Sequence, residues 1–147
     1  LILRLSNPYG GYQLPNKRQG VIPIILRKAY LDESFQLMVN PDSIRDYIYI
    51  SDFAAQLKKL LEMDVSNTTL NVGSGKGTSL QTVIDLCEKI TGKTLRIEHM
   101  LSQVPMVQDI VLDVSKLEGI TGIHSSISME KGMRMEDERI RRELGIR

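Results

Sequence analysis

The sequence predicts an α/β fold, on three observations. Short apolar runs with strand character, at Leu1–Ser6, Leu70–Val72, Leu95–His99 and Ile110–Leu112, are separated by stretches whose apolar residues recur at helical spacing. A glycine-rich turn, Gly73–Gly77, leads directly from one such strand into a helical run. No internal repeat or low-complexity segment breaks the alternation.

Each element has a local reason. The first strand ends at Asn7-Pro8 and Gly10-Gly11, which pass the chain into a long polar loop through Gly20, and loops of that length usually carry function. Val21–Leu31 is apolar at most positions and holds Pro23 near its start, where a missing N–H costs little, so it reads as a helix. Phe35, Leu37 and Val39 alternate with Gln36 and Met38. Asn40-Pro41-Asp42-Ser43 breaks that run, and Ile44, Asp46, Ile48 and Ile50 then alternate with Arg45, Tyr47 and Tyr49. The spacing predicts a hairpin with Arg45 and two tyrosines on one face. Ser51 or Asp52 is expected to cap a helix whose apolar stripe is Phe53, Leu57, Leu60 and Leu61. Thr78 with Gln81 fits a capping box ahead of Leu80, Val83, Ile84, Cys87 and Ile90, and a last helix starts at Ser128.

Composition narrows the function classes. The chain has 147 residues, of which 41% are hydrophobic and 25% charged, enough for one globular unit with a modest core. Nineteen basic against eighteen acidic residues leave a net charge of +1, with no block of one sign, which argues against nucleic acid and membrane surfaces as partners. The lone Cys87 sits within an apolar periodic run and reads as a core residue, so a reducing cytoplasm is the expected compartment. No stretch approaches the ~20 apolar residues that span a bilayer. His99 and His124 have no neighbours at zinc-ligand spacing, so no metal site is expected.

Three constellations bear on binding. Gly73-Ser74-Gly75-Lys76-Gly77 sits where a phosphate loop would, but neither the P-loop spacing nor G-x-G-x-x-G is met, and a tight strand-to-helix turn is the simpler reading. A guanidinium at Arg45 has the donor fork to grip a diphosphate, or it pairs with Asp42 or Asp46 at the surface. Asn7 either donates its amide to a phosphate oxygen or forms an Asx turn before Pro8.

Arg4, Asn7, Tyr9 and Gly10 meet an R-x-x-N-x-Y-G pattern, and SIRDYIYISD (43–52), NVGSGKGTS (71–79) and VLDVSKL (111–117) follow in order. Over nearly its whole length the chain resembles the carboxyl-terminal part of the extended short-chain dehydrogenases/reductases, the NAD-dependent epimerases and dehydratases of nucleotide sugars. The resemblance implies that residues 1–147 form a single unit, the substrate-binding region plus the last strand and helix elements of a Rossmann domain, with the amino-terminal cofactor-binding part missing. It implies NAD as cofactor, held mainly by that missing part, with Leu5 and Ser6 near the nicotinamide. Asn7 and Arg45 would hold the diphosphate, the backbone of Gly20, Val21 and Ile22 would meet the base, and Asp46 would be structural. A UDP-sugar is the expected ligand, a homodimer the expected parent, and epimerisation at the sugar C4 the expected reaction, in polysaccharide biosynthesis. The SNPYGGYQLP segment also resembles dTDP-glucose 4,6-dehydratases, and a non-catalytic phosphate-binding module on Gly73–Ser79 is a further alternative.

Three departures from the family pattern stand out. The family's acid/base tyrosine is followed four residues later by lysine, whereas Tyr9, Tyr12, Tyr30, Tyr47 and Tyr49 are followed by Gln13, Asn16, Ser34, Ser51 and Phe53. No catalytic residue is therefore assigned, and the chain alone is expected to be inactive. Gln103 and Met106 stand where relatives often have an arginine and an aspartate, and Val39 stands where many have glycine.

Overall fold

The computed structural model describes residues 1–11, 20–100 and 107–146. Strand β1 (Ile2–Leu5) pairs in parallel with β5 (Thr69–Val72), Leu3 opposite Leu70 and Leu5 opposite Val72. Partners in register share a face, so Leu70 and Val72 point with Leu3 into a small core formed with Leu60 and Leu117. Two helices cover that face, α2 (Ile50–Glu62) and α4 (Ser115–Thr121).

The second strand group is built on β4 (Ile44–Tyr49). Its carboxyl-terminal half runs parallel to β2 (Asn7–Tyr9), and its amino-terminal half lies antiparallel to β6 (Gly77–Ser79) and parallel to the two-residue β8 (Asp109–Ile110). A third pair, β3 (Phe35–Leu37) with β7 (Ile97–His99), is also parallel. The larger core lies among three mutually packed helices, α1 (Val21–Leu31), α3 (Leu80–Thr91) and α5 (Met129–Leu144). Ile22, Ile25 and Leu26 of α1, Val83, Ile84 and Cys87 of α3, and Met133 and Ile140 of α5 fill it, each at most 2% exposed. Burial there pushes the Cys87 thiol up to about 12, so it packs as a small apolar group.

Several expectations need correction. Phe35–Tyr49 is not a hairpin: β3 pairs with β7 and β4 with β2, β6 and β8. Alternation reports which face a residue takes but not which strand lies beside it. The cap of α3 is Ser79, whose Oγ accepts from the Thr82 N–H at 3.1 Å, because Thr78 is drawn into β6 opposite Arg45. On α2, Leu61 is 68% exposed and Gln56 is fully buried in place of it.

Asp52 does not cap α2 either. Its carboxylate accepts from the N–H groups of Ser126 and Ile127, both at 2.9 Å, and from the hydroxyls of Ser125 and Ser126, which ties the first turn of α2 to the segment entering α5. Burial raises its pKa, but these donors outweigh burial and leave the carboxyl below its ordinary 3.8. A depressed folded-state pKa means that the contribution is complete above the unfolded value and is lost as pH falls through the folded one. Urea unfolding below about pH 4 should therefore show a stability loss that Asp52→Asn removes; identical acid slopes for the two proteins would contradict this.

Candidate nucleotide-sugar site

The face of β4 that carries Arg45 and Tyr47 borders a cavity of about 420 Å³. Its walls come from Val21 at the start of α1, the β3 run Phe35–Val39, and Ser43 and Leu80. Arg45 and Tyr47 are two residues apart on one strand and so share a face, and Asn7 joins them there because it stands opposite Tyr47 in the β2–β4 register. The two polar residues singled out for a diphosphate thus lie on the same side of the sheet. Asn7 is exposed, and its Nδ2 donates to the Asp46 carbonyl at 2.9 Å.

Arg45 does not pair with Asp42 or Asp46. Its Nη1 donates to the carbonyls of Ile44 and Gln108, both at 2.8 Å, and Nη2 donates to the carbonyl of Val107 at 2.7 Å. A guanidinium has five N–H donors, so among the described residues the Nε–H and one Nη2–H remain along one edge. Asp42 is held locally instead, its N–H donating to the Asn40 side chain at 3.0 Å.

Gly20 starts α1 with φ +86°, a left-handed conformation suited to glycine, and has no side chain with which to cap the helix. The first-turn N–H groups of an uncapped helix lack intrahelical partners, and Val21 lines the cavity at that point. The Ile22 side chain turns away into the core. Leu5 ends β1 at 41% exposure, and the Ser6 hydroxyl beside it is enclosed with no hydrogen-bond partner among the described residues.

The glycine turn is occupied by the protein itself. Asp46, fully buried, projects from the opposite face of β4; its Oδ1 accepts from the N–H (2.9 Å) and hydroxyl (2.6 Å) of Ser74, and its Oδ2 from the N–H groups of Gly75 (3.2 Å) and Leu112 (3.3 Å). Backbone N–H groups in a glycine-rich turn form a nest for an anion, and here the anion is an internal carboxylate. A Cβ at Gly73 would lie 2.5 Å from that carboxylate, which explains the glycine. The phosphate-module alternative therefore loses its donors.

Sequence reasoning missed the cavity wall formed by β3 and Leu80. The one available signal was Val39, which stands where many relatives have glycine, and it does line the cavity. Gln103 and Met106 lie outside the described residues. Among the described residues no cluster of three or more His, Cys, Asp or Glu side chains can hold a metal, and no helix is long and apolar enough to cross a membrane.

Parallel strand pairs flanked by helices define the class, and the UDP-glucose 4-epimerase of Thermotoga maritima, solved with UDP-glucose, shares the fold at a TM-score of 0.87 and 28% identity, over 97% of this chain and 46% of that one. Residues 1–73 match the model of the NAD dependent epimerase/dehydratase family, and the chain belongs to that family. It is 32% identical over 131 residues to the dTDP-4-dehydro-6-deoxyglucose reductase of Escherichia coli, covering 89% of this chain and 42% of the relative. It is 29% identical over 133 residues to a putative UDP-glucose 4-epimerase of Methanocaldococcus jannaschii, covering 90% and 43%. The chain thus spans less than half the length of each of these relatives.

Proposed function

We propose that this chain forms the nucleotide-sugar side of the active site of an NAD-dependent nucleotide-sugar epimerase that acts at the sugar C4 through a keto intermediate. The observation that carries the reading is Arg45 at the wall of the 420 Å³ cavity, with a usable donor edge and Asn7 on the same face. In this reading Val21, Phe35, Leu37, Val39 and Leu80 enclose the flat base, and the N–H groups at Gly20, Val21 and Ile22 meet its polar edge. Arg45 donates from its Nε/Nη2 edge to a phosphate oxygen pair, and Asn7 donates its second amide hydrogen beside it.

NAD supplies the hydride acceptor when bound. The exposed Leu5 and the unpartnered Ser6 hydroxyl at the carboxyl end of β1 fit the nicotinamide end of that cofactor, since α/β sheets bind ligands at the carboxyl ends of their strands. The described tyrosines are poor proton acceptors: burial raises the pKa of Tyr9, Tyr30, Tyr47 and Tyr49 above the ordinary value, keeping each hydroxyl protonated near neutrality. This supports the reading that residues 1–147 position substrate and that the proton partner of the hydride step lies elsewhere in the protein.

Calorimetry with UDP-glucose tests the proposal. Arg45→Ala should weaken binding by about ten- to a hundredfold, the value of a charge-assisted hydrogen bond pair, while Lys76→Ala should leave it nearly unchanged. Equal affinities for wild type and Arg45→Ala would sink the reading. Similarity to a dTDP-glucose 4,6-dehydratase of Escherichia coli supports a second reading, a dTDP-glucose 4,6-dehydratase-like protein, and tighter binding of dTDP than of UDP would favour it.

A further inference from the structure

We propose that Asp109 is a positioning residue for Arg45, acting through the backbone of the segment that precedes β8. The proposal rests on the reading that Arg45 grips a ligand phosphate, but its structural half stands alone. The Ile44 N–H is shared between the Gln108 carbonyl and the Asp109 Oδ1, each at 3.1 Å. The same Gln108 carbonyl, together with that of Val107, accepts from the end of the Arg45 guanidinium. One short stretch is thus held to β4 on one side and holds the arginine on the other.

The geometry gives this arrangement leverage. With only two residues in β8, paired as Ile44 opposite Asp109 and Arg45 opposite Ile110, the ladder supplies few bonds of its own. Besides the Arg45 contacts themselves, the Asp109 carboxylate adds a side-chain bond that joins this segment to β4 next to Arg45. Beyond it, the Leu112 N–H is fixed on Asp46, which anchors the far side of the segment. Loss of the Asp109 acceptor leaves the Gln108 carbonyl as the one described acceptor of the Ile44 N–H, so the stretch that seats Arg45 is held less tightly and the guanidinium regains rotation that ligand binding must then remove. Asp109 is not among the described residues that line the cavity, so its influence on binding passes through β4 and the residues that seat Arg45.

Two variants separate the hydrogen bond from the charge. Asp109→Asn keeps an Oδ1 acceptor for the Ile44 N–H and removes the negative charge; Asp109→Ala removes both. In the intact protein without nucleotide, arginine side-chain NMR should show slow rotation of the Arg45 guanidinium in wild type and Asp109→Asn, and fast rotation in Asp109→Ala. Titration with UDP should show Asp109→Ala about fivefold weaker than wild type, the cost of ordering one freed side chain on binding, with Asp109→Asn within about twofold. Unchanged rotation in Asp109→Ala, or Asp109→Asn losing as much affinity as Asp109→Ala, overturns the positioning role. If wild type binds no UDP while the rotation pattern holds, the nucleotide-sugar reading fails and the clamp survives.

Discussion

Asp46→Ala is expected to lower the unfolding free energy by about 3–5 kcal/mol, because several donors lose their acceptor at about 1–3 kcal/mol each, offset in part by removal of a buried charge. Three backbone N–H groups, of Ser74, Gly75 and Leu112, and the Ser74 hydroxyl all converge on this carboxylate. Without it the donors are left enclosed and unpaired, since β4, the glycine turn and the segment after β8 surround the position. Asp46→Asn should be nearly as damaging. Both carboxylate oxygens accept from N–H donors, so an amide satisfies one side and sets an NH₂ against the other. Domains commonly have about 5–15 kcal/mol of total stability, so urea unfolding should show a large midpoint shift; a shift corresponding to less than about 1 kcal/mol would mean the nest is not structural.

Gly132→Ala should also destabilise, against the usual direction. In a helix interior that exchange normally gains about 1 kcal/mol through propensity. Here Gly132 of α5 lies flat against two rings: an added Cβ would fall inside contact distance of the Tyr9 hydroxyl and 3.0 Å from Tyr49 Cδ2. Those rings meet edge to face, with centroids 5.4 Å apart, and the Tyr9 hydroxyl donates to the Met129 carbonyl at 3.4 Å, so neither can withdraw without disturbing the β2–β4 pair. Overpacking of this kind costs about 1–3 kcal/mol. Gly119→Ala in α4 is the control, because a Cβ there meets nothing within 4 Å and should stabilise by up to about 1 kcal/mol. Denaturation midpoints that move the same way in both variants would refute the packing argument. Because Tyr9 follows Asn7 on β2 and Tyr49 lies on β4 with Arg45, the strain from Gly132→Ala should reach the candidate site as well.

The elements legible in the chain were those set by neighbours in sequence. Ser128 caps α5, its hydroxyl accepting from the Lys131 N–H at 3.3 Å, and the apolar spacing of Val83, Ile84 and Cys87 places α3 in the core, because capping and helical periodicity act over a few residues. The short strands β2 and β6 are not legible in the chain. Three residues carry too little pattern to identify, and Gly77 and Pro8 argue against strands when read locally. Arg45 and Asn7 were visible as candidates from their residue types and motif context, but not the partners that hold them.

What the amino-acid order determined by itself is the alternation of strands and helices, the helix cap at Ser128, and which polar side chains are candidates for a phosphate. What only the tertiary structure decided is that β3 lies beside β7 rather than β4, that Asp46 fills the glycine turn, and that the carbonyls of Val107 and Gln108 seat Arg45. Each of these joins residues far apart in the chain. Such contacts depend on which backbone donors and acceptors remain unpaired once the helices have packed, a property of the folded whole and not of any local stretch.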